Sequence, residues 1–174
     1  ANDVIHAMAA ACRNGGTKAE VLPMPDEDSM EYGRRYTNGQ ECFPMIATTG
    51  SFLKKLHEPG IDPAKSAFFM PDHNGPCRFG GYNKLQEIIF ERLGFMDVMM
   101  VHPSNEDNYT SISPNNAVTW RTLSWKGMVA IDLLRKMIQQ TRPYELMKGD
   151  SDKVYKEELQ NVIHSLERGG GDLE

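Results

Sequence analysis

The sequence predicts an α/β fold: a three-layer, Rossmann-like domain with a parallel sheet, plus C-terminal helices. The elements follow the order strand, helix, strand, helix, strand, which is typical of parallel sheets with right-handed crossovers. Residues 66–70 form a continuous apolar run, as expected for a strand that is buried on both faces. Hydrophobic residues make up 40% and charged residues 25% of the chain, as in ordinary folded domains.

The domain organisation is predicted from these elements. Residues 1–146 are expected to form the Rossmann-like domain, residues 147–168 a helical appendage, and residues 169–174 a tail. The chain begins without a methionine, and its first predicted element is a helix rather than a strand. We therefore expect the sequence to be a piece excised from a larger protein.

The first part of the chain is predicted to contain two helices and a short strand. Apolar spacing predicts a helix over residues 2–14, which the following glycine pair ends. Its buried face is predicted to consist of Val4, Ile5, Met8 and Cys12. A short strand is predicted over residues 19–22. The acidic run 26–28 indicates the start of a second helix, capped by Asp28 or Ser29 and continuing to Arg35.

Two more strands and four helices are predicted in the rest of the chain. The strands cover residues 66–70 and 98–101, and a long polar loop covers residues 104–116. The helices cover residues 45–56, 82–93, 118–141 and 152–168. The helix over residues 118–141 is either continuous or interrupted at Gly127. The inner face of the helix over residues 82–93 is predicted to consist of Leu85, Ile88, Ile89 and Leu93.

The net charge argues against two classes of partner, and the cysteine count indicates the compartment. The net charge is −5 and no basic block is present, so neither nucleic acid nor an anionic membrane surface is an expected partner. No apolar run approaches the ~20 residues that span a bilayer. Three cysteines are few for a disulfide scaffold and fit a reducing compartment, so a cytoplasmic location is predicted.

Two cysteines occupy loops of the kind in which parallel α/β proteins form their sites. Such sites lie where the carboxyl ends of strands meet the amino ends of helices. Cys42 shortly precedes the helix over residues 45–56, and Cys77 lies between a predicted strand and the helix over residues 82–93. Unpaired N–H groups at a helix start favour the thiolate, the form that binds iron or zinc. We therefore predict that both thiols lie at the same edge of the sheet.

The residues around Cys77 suit the binding of an anion or a metal cluster. Gly75 and Gly80 permit close approach of the backbone and leave N–H groups for cluster sulfurs. Arg78 adds positive charge beside a site whose own charge would be negative. Spacing alone leaves three possibilities open: cluster ligands, a redox-active thiol pair, or apolar cysteines in a domain that only assembles subunits. His73, in the same loop, is either a ligand or a solvated side chain.

Three segments carry a longer pattern around these cysteines. They are Asn-Gly-Gln-Glu-Cys-Phe-Pro-Met-Ile at residues 38–46, Phe-Phe-Met-Pro at residues 68–71, and Gly-Pro-Cys-Arg-Phe-Gly at residues 75–80. In these segments the chain resembles the 2-hydroxyglutaryl-CoA dehydratase family. More closely, it is similar to the dehydratase-like part of long fused proteins described as CoA-substrate-specific enzyme activases. The resemblance covers roughly residues 9–145.

The resemblance implies a cofactor, partners and a reaction. Cys42 and Cys77 are expected to ligate an iron–sulfur cluster of the 4Fe–4S type, with Gly75, Arg78 and Gly80 around it. An ATP-dependent activator module is expected to deliver a low-potential electron, and the substrate is expected to be an acyl-CoA that loses water by a radical route. A cubane takes three or four protein ligands, so the others are expected in the remaining domains of the parent chain. We therefore expect this piece alone to be inactive and free of the cluster.

Overall fold

The computed structural model describes residues 3–104, 106–112 and 116–173. In chain order the helices are α1 (Val4–Asn14), α2 (Glu27–Tyr36), α3 (Phe43–Leu56), α4 (Tyr82–Arg92), α5 (Ala117–Thr141) and α6 (Asp150–Glu167). The strands are β1 (Ala67–Phe69) and β2 (Met99–Val101), and short 3₁₀ turns cover Pro63–Lys65, Arg78–Gly81 and Arg142–Tyr144. Among the described residues, no helix has the length and apolar character to cross a bilayer.

The chain divides into two compact units. The helical unit combines Ala1–Val21 with Ser113–Glu174, and the α/β unit is Leu22–Ile112. The boundary predicted near residue 146 therefore falls inside the helical unit. The first and last helices of the chain belong together because α1, α5 and α6 pack on one another.

The helical unit is packed around Gly127, near the middle of α5. A Cβ at this position would lie 2.5 Å from Leu166 Cδ1 and 2.6 Å from the Cβ of Ala7. The glycine therefore permits close approach of three helices, and α5 continues through it without interruption. The side chains that α1 buries are alanines, not the larger residues predicted: Ala7, Ala9, Ala10 and Ala11. Only small side chains fit where helices approach this closely.

The sheet of the α/β unit has two parallel strands in the described residues. Ala67 pairs with Met99, Phe68 with Met100 and Phe69 with Val101. The predicted strands over residues 66–70 and 98–101 are therefore confirmed, each slightly shorter than expected. The α/β class is confirmed in its coarse form, as a mostly helical chain with a small parallel sheet.

The strand predicted over residues 19–22 is wrong. These residues have no regular secondary structure, and no described strand pairs with them. The carbonyl of Ala19 instead accepts a hydrogen bond from Arg13 Nη1, at 2.8 Å. Pro23, which follows, has no N–H to donate to a ladder. A short apolar run becomes a strand only where a neighbouring strand can form hydrogen bonds with its backbone N–H and C=O groups.

The core of the α/β unit lies between the sheet, α3 and α4. Its buried members are Met45, Phe52, Leu53, Leu56, Phe68, Met70, Tyr82, Ile89, Phe90 and Met100. The rings of Phe52 and Phe68 stack with their centroids 4.3 Å apart, which joins α3 to the sheet. The inner face of α4 differs from the prediction: Ile88 is 43% exposed, whereas Asn83 and Gln86 are fully buried.

Asp26 caps α2, two or three residues earlier than the cap predicted from the sequence. Its Oδ1 accepts hydrogen bonds from Ser29 N at 3.0 Å and Ser29 Oγ at 2.8 Å, and Lys54 of α3 pairs with the same carboxylate. The Lys54 ammonium, together with the bonds from Ser29, lowers the pKa of Asp26 far below its ordinary value. The carboxylate therefore links the start of α2 to α3.

This low pKa predicts a pH-dependent loss of stability. A carboxylate whose pKa falls on folding contributes stability above its unfolded pKa, and the contribution disappears as pH falls through the folded value. We expect Asp26→Ala to lower the melting temperature by a few degrees at pH 7, with the difference from wild type shrinking progressively below about pH 4. Thermal melts across this range check it, with Glu27→Ala as the control. A difference that does not change with pH would contradict the assignment.

Candidate functional site

Cys42 is the N-cap residue of α3. It has extended backbone angles, φ −62° and ψ 144°, and its thiol makes no capping hydrogen bond. Its carbonyl accepts the first hydrogen bonds of the helix, from Met45 N at 2.9 Å and Ile46 N at 3.2 Å. Pro44 occupies the first turn, as predicted, where a missing N–H carries no penalty. The sulfur is therefore free for another partner at the positive end of a helix.

Cys77 lies in the loop that leaves the carboxyl end of β1. The loop continues the parallel pairing for a short distance, since Met70 N donates to Val101 O at 2.9 Å and Asp72 N to Pro103 O at 3.1 Å. Cys77 then precedes the turn Arg78–Gly81, which runs directly into α4. Its side chain is exposed and in the free thiol state. This position is the one predicted from the strand–loop–helix order.

Tyr82 lies near Cys42 and is influenced electrostatically by both cysteines. The side chain begins α4 and is 7% exposed. Burial is the largest of the causes that together raise the pKa of Tyr82 to about 12, and the others are a hydrogen bond with the Cys42 side chain and the electrostatic influence of Cys42 and Cys77. The phenol is therefore protonated at neutral pH and acts as a hydrogen-bond donor toward Cys42. The one sequence signal for this residue is its position after two glycines at a helix start.

Gly75 and Gly80 serve the packing of the loop around His73. A Cβ on Gly75 would overlap the imidazole of His73, and a Cβ on Gly80 would overlap the His73 carbonyl oxygen. Gly80 is therefore required for the close approach of the loop backbone to itself, whereas the imidazole of His73 could rotate away from a Cβ on Gly75. Arg78 donates from Nη1 to the Gln40 carbonyl at 3.3 Å, which joins the loop of Cys77 to the segment just before Cys42.

The donor set at this site consists of two thiols. Across residues 3–104, 106–112 and 116–173, no three His, Cys, Asp or Glu side chains form a group that could hold a metal ion. His73 packs over Gly75 and does not complete such a group. Two thiolates fill half of the positions around a cubane cluster. The described residues therefore fit a partial ligand set.

A groove of about 420 Å³ lies elsewhere in the α/β unit, between α2 and the end of α3. Its charged lining residues are largely paired with one another, Arg35 with Glu31 and Lys54 with Asp28. The ring of His57 packs against Tyr32 with centroids 5.1 Å apart, and His57 Nδ1 bonds to the Leu53 carbonyl at 2.7 Å. The groove thus offers little unbalanced charge to a ligand.

Cys12 lies in the helical unit and has a separate environment. The indole Nε1–H of Trp120 donates to its sulfur at 3.2 Å, and the side chain is half-buried. Burial raises the pKa of this thiol, which opposes thiolate formation. Cys12 therefore acts as a packing residue, although it is less buried than the sequence analysis predicted.

The three cysteines are expected to differ in their effect on stability. Cys42→Ser and Cys77→Ser should change the free energy of unfolding by no more than about 0.5 kcal/mol, because Cys77 is exposed and serine is a favourable N-cap residue that offsets the packing lost at Cys42. Cys12→Ser should cost about 1 kcal/mol, since serine can accept the Trp120 hydrogen bond but fills the site less well. Thermal melts of the three variants test the order. Equal losses in all three would mean that the loop cysteines are packing residues.

Comparisons of this chain with protein-family profiles, with curated proteins and with solved structures find no match.

Proposed function

We propose that the α/β unit is the cluster-binding domain of a 2-hydroxyacyl-CoA dehydratase/activase-type protein. The observation that carries the proposal is that the loop of Cys77 and the segment just before Cys42 are joined by the hydrogen bond from Arg78 to the Gln40 carbonyl, and that both cysteines contribute to the raised pKa of Tyr82. Each thiol also lies at the start of a helical segment and makes no capping bond there. Two free thiols on segments that are joined to each other, each at the start of a helical segment, are an arrangement that suits a shared metal cluster.

The proposal assigns distinct tasks to the residues around the thiols. A bound iron–sulfur cluster supplies one-electron transfer and a Lewis-acidic iron. Cys42 and Cys77 hold it on one side, and Tyr82 donates a hydrogen bond to the Cys42 sulfur. Arg78 keeps the two loops together through Gln40 and adds positive charge. Hydrogen bonds and positive charge near ligand sulfurs are among the features that set the potential of such clusters.

The remaining parts of the system lie outside this site. The other cluster ligands come, in this proposal, from further domains of the parent chain. An ATP-dependent activator module supplies the electron, and an acyl-CoA is the substrate. The unit β1–α4–β2, a parallel pair joined by a helix, is the repeat from which three-layer Rossmann-like sheets are built, so the proposal includes that architecture.

Anaerobic reconstitution tests this function. The protein is incubated with ferrous iron, sulfide and an excess of a small thiol that can fill the open iron positions. We expect broad visible absorption of an iron–sulfur cluster in wild type and in Cys12→Ser, and its loss in Cys42→Ser and in Cys77→Ser. The chain purified without reconstitution should contain no stoichiometric iron, because two ligands hold a cubane weakly. Absorption that survives in both loop variants would refute the proposed site.

A thiol–disulfide pair is the second candidate function. It is favoured by the free state of both thiols and by the exposure of Cys77, which gives an oxidant access. Oxidised glutathione would convert the two thiols to one disulfide and release two molecules of reduced glutathione. Non-reducing mass spectrometry after such treatment would show the loss of two hydrogen atoms per chain. Formation of this bond at the potential of the cytosol, without cluster binding, would favour the redox function.

A further inference from the structure

A buried polar cluster joins α3 to α4. Thr49 of α3 and Asn83 and Gln86 of α4 are all fully buried. Gln86 Nε2 donates to Thr48 Oγ1 at 3.2 Å and to Thr49 Oγ1 at 3.4 Å. Periodicity predicts apolar residues on this face of α4, so the polar link is a departure from the simplest packing.

The link reaches the first turn of α3. Thr48 Oγ1 donates to the Pro44 carbonyl at 2.8 Å, and Pro44 lies two residues after Cys42. On α4, Tyr82 and Gln86 are one turn apart and therefore share a face. The two helices are thus joined at two levels, by Tyr82 to Cys42 and by Gln86 to the two threonines.

The contact of Gln86 with the two threonines is not the most stable packing that this position could have. Gln86 Oε1 and Asn83 Nδ2 are buried without a hydrogen-bond partner. A buried polar atom without a partner destabilises the fold, so an apolar side chain of the same length would pack at least as well. What glutamine supplies and an apolar residue does not is a directional bond to α3.

We propose that Gln86 is a positioning residue for the pair of thiols. Its bonds to Thr48 and Thr49 fix α4 against the first turns of α3, and thereby fix Tyr82 and the Cys77 turn relative to Cys42. The inference rests on the proposed function in one respect, the use of Cys42 and Cys77 as a pair. It adds a residue that touches neither sulfur and sets the distance between them.

Capture by phenylarsine oxide tests the positioning without any iron. Two neighbouring thiols add to the arsenic, forming two As–S bonds and releasing one water, with no change of oxidation state. Gln86→Met and the double variant Thr48→Val/Thr49→Val are compared with Thr48→Ser/Thr49→Ser, which keeps both hydroxyls. We expect the first two to weaken capture roughly five- to tenfold, equivalent to about 1 kcal/mol at the lower end, and the serine variant to retain wild-type capture. The melting temperature of Gln86→Met should be unchanged or higher.

Several results would overturn this inference. Capture by Gln86→Met and by the valine variant at wild-type affinity would show that packing alone sets the spacing. If Cys77→Ser captured phenylarsine oxide as tightly as wild type, the two thiols would not act as a pair. If capture follows the expected order but reconstitution yields no cluster, the positioning role stands and the proposed function fails, so the two results separate the claims.

Discussion

Replacing Gly50 by alanine is expected to destabilise the α/β unit by about 2 kcal/mol or more, although alanine is the better helix former. A Cβ on Gly50 would overlap the Ser29 carbonyl oxygen of α2 and lie 2.8 Å from Gly33 N. Gly33 of α2 lies against α3 in the same way, since a Cβ built on it would overlap the Ile46 carbonyl oxygen. The backbones of α2 and α3 thus touch at two glycines. Neither neighbour is a side chain that could rotate away, so the helices must separate.

Chemical denaturation of Gly50→Ala measures this effect, with Gly81→Ala as the matched control. Nothing lies within 4 Å of a Cβ built on Gly81, and its φ of −104° is accessible to alanine. The control should therefore stay within about 0.5 kcal/mol of wild type. A Gly50→Ala protein as stable as wild type would mean that α2 and α3 are not in direct backbone contact.

The second large effect is expected for Leu53→Ala, which should cost about 3–5 kcal/mol. Leu53 is 0% exposed and belongs to the core cluster of the α/β unit, together with the stacked rings of Phe52 and Phe68. Truncating its isobutyl side chain to a methyl group leaves a cavity that rigid aromatic neighbours fill poorly. Because this core supports the start of α3, the variant should also lose the iron–sulfur absorption that reconstitution gives at Cys42.

Leu146→Ala is the control for this deletion. Leu146 is 99% exposed, so the same chemical change should leave the free energy of unfolding within about 0.5 kcal/mol of wild type. Denaturant titrations of the two variants, followed by circular dichroism, compare them under one condition. Similar losses in both would contradict the buried position of Leu53.

The strands and most helices were predictable because their signals are local. Apolar runs gave β1 and β2, and periodicity gave α3, α4, α5 and α6 within a few residues of their observed bounds. The error at residues 19–22 arose because a strand depends on a partner, which local sequence does not report. The role of Gly127 was also ambiguous, because the local sequence does not distinguish a glycine that permits close contact between helices from a glycine that interrupts a helix.

The candidate site was predictable in part. The positions of Cys42 and Cys77 followed from their places before helices in a parallel α/β order. Tyr82 and Gln86 were missed because each has a polar group that periodicity counts against burial. Gln86 is buried through bonds to threonines that are distant in sequence, and only the folded structure brings them together. Polar residues on a predicted inner face are thus a useful signal for a nearby site.

The central claim is that Cys42 and Cys77 hold one cluster together, and cysteine alkylation tests it most directly. The protein is treated with iodoacetamide before and after anaerobic reconstitution, and modification of each cysteine is quantified by peptide mass spectrometry. The account predicts that reconstitution protects Cys42 and Cys77 to the same extent and leaves the modification of Cys12 unchanged. Protection of only one of the two loop cysteines, or of neither, would contradict it.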